Sequence, residues 1–154
     1  MIWPVTSAVS ALVLNAKLPL VVEYATPALT VREASSAEEA ASSVLLADAK
    51  VKATKESKPL LVLITSEQCR WCRKLEATTL EDDGVIQKIN QKFVAVHVTR
   101  DKSVYPQTLK AKMVPMSYFL DGNGKVIHAM PGFWPTEDYQ SILDDAMNKY
   151  NKGK

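Results

Sequence analysis

The run Leu60-Leu61-Val62-Leu63-Ile64 constrains this chain more than any other feature. Five consecutive apolar residues between polar neighbours read as a strand covered on both faces, because a strand with one wet face alternates apolar with polar residues. A strand covered twice needs helices on each side of its sheet. The run therefore predicts an α/β fold, a central mixed β-sheet flanked by helices.

The rest of the chain supplies the other elements. Phe93 to Val98 is a second buried-strand candidate, rich in β-branched residues. Between the two strands lie a short polar turn, Thr65 to Gln68, and a segment from Cys69 to Ile89. There Leu75, Leu80, Val85, Ile86 and Ile89 recur at roughly helical spacing, with a break expected at Asp82-Asp83-Gly84. A short helix is expected over Ser103 to Lys112. Met116 to Leu120 and Lys125 to Ala129 flank Asp121-Gly122-Asn123-Gly124, a hairpin signal, and bring the expected sheet to four or five strands. A last helix starts near Pro135-Thr136, with Thr136 as cap, buries Tyr139, Ile142, Leu143, Ala146 and Met147, and runs to about Tyr150. Upstream, Ser36 and Glu39 have the spacing of a capping box for a helix running to Ala53, with Ala40, Val44, Ala47 and Val51 as its apolar stripe; an Ala/Ser linker is the alternative.

With 154 residues, 47% of them hydrophobic, the chain is long enough for one domain with a full core and too short for two. Its formal charge of +2 is spread without long blocks, which argues against nucleic-acid binding and against strong attraction to an anionic membrane. Met1 to Ala16 carries no charged side chain, and Leu18 to Val22 is again apolar. An export signal or anchor, a packed extra element and a disordered leader all stay open for this stretch, since Pro4 and Asn15 interrupt it and no basic residue precedes it. The organisation expected is an apolar extension over 1–34, one domain over 35–150 and a polar tail over 151–154. The apolar extension favours an exported, periplasmic or membrane-tethered location, with the cytoplasm as the alternative.

Two cysteines cannot staple a disulfide-rich scaffold, so their spacing decides their use. They stand as Cys69-Arg70-Trp71-Cys72, directly after a buried strand and a four-residue turn, at the expected first turn of a helix. Unpaired backbone N–H groups and the positive end of the helix dipole favour a thiolate there. Cys69 at the helix mouth is then the attacking sulfur and Cys72, one turn on, the resolving one. Arg70, Arg73 and Lys74 add positive charge. A chance pair, a purely structural disulfide and a zinc site completed by His97 and His128 compete with this reading; the two histidines lack the paired spacing of zinc ligands.

From Pro59 to about Tyr150 the chain resembles the thioredoxin superfamily. The resemblance rests on the Cys-x-Trp-Cys motif with Leu75-Glu76 after it, on Thr79-Leu80-Glu81-Asp82, on Asn90-Gln91-Lys92-Phe93-Val94, on Val114-Pro115 ahead of the hairpin, and on Gly132-Phe133. It implies a thioredoxin-like fold and thiol–disulfide exchange with protein disulfides or dithiols, Cys69 and Cys72 catalytic, with a redox partner protein and no bound cofactor or metal. Arg70, Trp71 and Arg73 would tune the dithiol. By the same resemblance Pro115 is cis and faces the dithiol, and the Val114 backbone offers hydrogen bonds to an extended substrate. Trp71 either contacts substrate or packs on Trp134 or Phe133, and Met113 and Met116 form a soft apolar rim.

Departures from the family pattern bear on direction. Thioredoxin reductants usually carry Trp before the first cysteine, Gly-Pro between the pair and a buried Asp on the preceding strand; here those places hold Gln68, Arg70-Trp71 and Leu63. Deprotonation of Cys72 then falls to water, Glu67, Glu76 or a substrate group. A thioredoxin-fold interaction or assembly module with a non-catalytic or redox-sensing dithiol is the reading from another class.

Overall fold

A computed structural model describes residues 45–103 and 105–154; the expectations for the apolar extension, and the Ser36/Glu39 capping box, lie outside the described residues. The described chain opens with helix α1 over 45–55. Then follow β1 (Leu60–Thr65), α2 (Arg70–Ala77), a 3-10 turn (Thr79–Glu81), α3 (Asp83–Lys92), β2 (Val94–Thr99), a 3-10 turn (Gln107–Leu109), β3 (Met116–Leu120), β4 (Val126–Pro131) and α4 (Thr136–Lys152). The strands form one mixed sheet in the order β2-β1-β3-β4, parallel between β1 and β2 and antiparallel elsewhere.

All six residues of β1 are buried, as the apolar run requires of a strand with neighbours on both edges and cover on both faces. Leu60, Val62 and Ile64 point to a core shared with Leu46, Ala49 and Ala53 of α1. Leu61 and Leu63 point to the opposite core, with Leu75 of α2, Val85 and Ile89 of α3, and Tyr139, Ile142, Leu143 and Ala146 of α4. Each fully buried Leu contributes about 1.5–3 kcal/mol relative to exposure. In β2 only Val94, Val96 and Val98 are buried, because this strand borders the described sheet and its other face, with Ala95, His97 and Thr99, is half open.

Four local expectations need correction. Of the stripe expected for the first helix, Ala40 and Val44 lie outside the described residues, while Ala47 and Val51 are exposed, Val51 at 68%; the buried positions of α1 are Leu46, Ala49 and Ala53, the larger Leu46 out-competing Ala47 for the core. The helix begun at the dithiol ends at Ala77, five residues before the expected break. Thr78 turns its hydroxyl back to the Lys74 carbonyl at 2.7 Å, and the Thr79 hydroxyl donates to the Trp134 carbonyl at 2.7 Å, drawing the chain out of line. Asp82 starts the next helix rather than breaking one: its carboxylate accepts the Val85 N–H at 3.0 Å. Among the described residues between Ser103 and Lys112 there is a single 3-10 turn instead of an α-helix, since Pro106 has no N–H to donate and biases its predecessor away from helical geometry. Finally, α4 runs to Lys152, and Pro135, with no side-chain cap, stands where Thr136 was expected.

The hairpin forms as its turn residues predict. Asp121 accepts the N–H groups of Asn123 and Lys125 at 2.9 Å each, and Gly124 takes φ +85°. Its base is anchored by Tyr139 of α4, whose hydroxyl lies 3.0 Å from that of Ser117 on β3; both side chains are buried. Burial pushes the Tyr139 phenol up to about 12, the bond to Ser117 only partly opposing it. The unfolded phenol loses its proton near pH 10 while the folded one keeps it, so this residue's contribution is intact below pH 10 and is lost as pH rises toward 12. Tyr139→Phe is expected to flatten stability against pH in that window and to cost about 1–3 kcal/mol at neutral pH, because Ser117 is left without a partner. Urea unfolding at pH 7 and pH 11 reads both effects, and identical pH slopes for the two proteins would contradict the assignment.

Candidate active site

The dithiol sits where β1 hands over to α2. Cys69 is the N-cap residue of α2, with extended backbone (φ −116°, ψ 102°), and its sulfur accepts the Cys72 N–H at 3.1 Å. Sulfur thus takes the place that a Ser or Asp oxygen fills at an ordinary helix start. The two cysteines are disulfide-bonded, their Cα atoms 5.2 Å apart. Both are buried, Cys69 8% exposed and Cys72 1%, so the more accessible residue of the pair is the one at the helix mouth.

The turn that carries Cys69 is held from three sides. The Arg73 guanidinium donates to the Glu67 carbonyl at 3.1 Å. From the loop after β2, the Asp101 carboxylate accepts the Glu67 N–H at 3.0 Å and a short bond from the Ser66 hydroxyl. The Ser66 bond first, and the Glu67 amide second, hold the Asp101 carboxyl below its ordinary range. Lys102 pairs with Glu67 at 2.6 Å. Asp101 escaped the sequence reading because its partners Glu67 and Ser66 lie thirty-four and thirty-five residues upstream; only the parallel register of β1 and β2, which pairs Thr65 with Thr99, brings the two loops together.

Trp71 is 46% exposed and packs on Phe133, with ring centroids 5.9 Å apart; the Trp134 indole instead donates to the Pro131 carbonyl at 2.9 Å. Arg70 and Lys74 lie against the Trp71 ring at 5.0 and 5.3 Å, and Lys74 is 4.7 Å from the Phe133 centroid. The Val114–Pro115 peptide is cis, and the Pro115 carbonyl accepts the Gly132 N–H at 2.7 Å, which joins this loop to the Phe133 turn. Met113 is 56% exposed beside it, whereas Met116 packs against the α1 core.

Leu63, in the place of the family's buried Asp, is itself buried. Its register partner on β2 is His97, on the same face of the sheet. The His97 Nε2 lies 2.7 Å from the Thr65 hydroxyl and 3.5 Å from the carboxylate of Glu76, one helical turn after Cys72. The His97 imidazole thus reaches the dithiol helix from the neighbouring strand β2. His97 and His128 stand on strands at opposite ends of the described sheet order, which separates the two histidines of the zinc alternative. His128 is engaged at its Nδ1 by Lys149 at 2.8 Å, and burial first, then the Lys149 charge, holds its imidazole below the ordinary range. Among the described residues no cluster of three or more metal-binding side chains occurs.

Residues 46–147 match the family model of a thioredoxin-like domain. The chain belongs to the thioredoxin-like family. Solved structures agree on the fold. A thioredoxin from Thermus thermophilus is similar with TM-score 0.55 and 20% identity, over 64% of this chain and 80% of that one. The oxidised C-terminal domain of DsbD from Neisseria meningitidis gives 0.56 and 17%, over 68% and 94%, and the DsbH oxidoreductase 0.52 and 21%, over 66% and 81%. An uncharacterized protein of Caenorhabditis elegans, B0495.5, is 26% identical over 103 residues, 60% of this thioredoxin-like chain and 14% of the relative's length. Among the described residues no helix is long and apolar enough to cross a membrane.

Proposed function

We propose that this protein is a thiol–disulfide oxidoreductase acting on protein disulfides or dithiols, with Cys69 as nucleophile and Cys72 as resolving thiol. The observation that carries the reading is the asymmetry of the pair: Cys69 caps α2 and accepts a backbone N–H, while Cys72 is buried one turn behind it. In the reduced protein that N–H and the helix dipole favour the Cys69 thiolate. The thiolate attacks one sulfur of a substrate disulfide, forming a mixed disulfide and releasing the other substrate sulfur as a thiolate, which takes a proton. Cys72 then loses its proton and attacks the Cys69 sulfur. The Cys69–Cys72 bond forms, the second substrate thiol leaves, and two electrons have passed to the substrate. Run backwards, the same steps oxidise a substrate dithiol.

Glu76 and His97 are the groups offered for the Cys72 proton, with Leu63 unable to take it. Arg73 acts by bracing the Glu67 carbonyl and with it the turn, and Arg70 and Trp71 line the mouth. Val114 and Pro115 are assigned to the substrate chain, which would lie extended along that loop. The partners are protein substrates and a second redox protein that resets the dithiol; no bound cofactor is required. Residues 1–34 are assigned as an extension outside the domain, directing the chain to an exported, periplasmic or membrane-tethered location, and the polar tail shortens to the residues after α4, 153–154.

The test is exchange between the reduced, desalted full chain and a disulfide-bonded model protein, followed by thiol alkylation. The expected rate exceeds that of glutathione at equal thiol concentration by roughly a hundredfold or more. A rate no greater than glutathione's would leave the interaction-module reading standing instead.

A further inference from the structure

The first turn of α2 contains no acidic residue, although the helix dipole favours one there; Arg70 opens the helix instead, and Lys74 follows in its last turn. Neither cation forms an ion pair with a described residue. The carboxylates near the dithiol are committed elsewhere: Glu67 to Lys102, Asp101 to Ser66 and the Glu67 N–H, Glu76 to His97. Glu137 and Asp138 lie in the first turn of α4 and complement that helix's own dipole. What the two cations do touch is aromatic: both lie against Trp71, and Lys74 also against Phe133. This cationic aromatic rim begins one residue after Cys69 and continues, through the Gly132 N–H on the Pro115 carbonyl, to the loop assigned to the substrate chain.

We infer that the rim of Arg70, Trp71, Lys74 and Phe133 selects substrates whose reacting cysteine is flanked by acidic residues. The inference rests on the oxidoreductase reading and names its substrate class. A carboxylate on the incoming chain pairs with the two cations, which have no carboxylate partner among the described residues, and the attraction is that of a solvent-exposed patch and therefore salt-dependent. A lysine-flanked cysteine meets like charge at the same place.

Three peptides of one length test this, each carrying its cysteine as a mixed disulfide with 2-mercaptoethanol and flanked by Glu, Gln or Lys. Their second-order rates with the reduced full chain are divided by those with dithiothreitol, which removes differences in the peptides' own reactivity. The Glu peptide is expected to exceed the Lys peptide roughly tenfold at about 20 mM salt, and the ratio to shrink severalfold at about 500 mM. In the variant carrying Arg70→Glu and Lys74→Glu the order reverses or vanishes; the Gln peptide in that variant reports any change in the intrinsic reactivity of Cys69. Equal normalised rates for the three peptides, or a preference unaltered by the double charge reversal, would overturn the selectivity while leaving the oxidoreductase reading intact. No reaction with any peptide would overturn the reading and the inference together.

Discussion

Cys72→Ser accumulates mixed disulfides through Cys69 when it meets a disulfide-bonded protein, and Cys69→Ser loses exchange by on the order of a thousandfold or more. The two variants fail differently because the sulfurs are placed differently. Cys69 caps the helix and is the more accessible of the two at 8% exposure, so without it Cys72, at 1% exposure, has no path to a substrate sulfur. Without Cys72 the first attack proceeds, but the mixed disulfide has nothing one turn away to resolve it. Non-reducing electrophoresis with mass spectrometry of the trapped species reads both results. Neither substitution should unfold the domain, since a loop of this length restrains little of the unfolded chain. Equal trapping by the two variants would contradict the assigned order of attack.

The largest expected effect on stability is at Phe119. Its side chain is fully buried on the central strand β3, with ring centroids 5.6 Å from Phe93 and 5.8 Å from His128. It fills the middle of the core that carries α2, α3 and α4. Phe119→Ala should cost about 3–5 kcal/mol, transfer and cavity terms together, against a total of about 5–15 kcal/mol for a domain of this kind. A fall in Tm of more than about 10 °C follows. Val51→Ala, on the exposed side of α1, should stay within about 0.5 kcal/mol and serves as the control. Comparable losses at the two positions would show that the stripe of α1 had been placed wrongly.

How much of this was legible in the sequence varies with the range of the interactions involved. The two-sided burial of β1 was readable because five adjacent apolar residues leave no position for a wet face, and the hairpin because Asp121, Gly122 and Gly124 encode their turn locally. The dithiol was readable from spacing and position. The end of α2 was not: it depends on the Thr79 hydroxyl meeting the Trp134 carbonyl, fifty-five residues away. His97 was legible only as a possible zinc ligand. Its place beside Leu63, and its contact with Glu76, follow from the register of β2 on β1, which no local pattern specifies. Phe133 and Trp134 were equally good partners for Trp71 by sequence, and packing of Trp134 toward Pro131 selects Phe133.

Whether Cys69 and Cys72 form a working redox couple or a structural staple is decided by the equilibrium of the pair with glutathione, read as a reduction potential. A working couple gives a single two-electron transition between about −120 and −270 mV, the span of dithiols that exchange with proteins, and that is the expected result. A disulfide that stays closed below about −300 mV would contradict it, because that is the behaviour of a bond kept for structure.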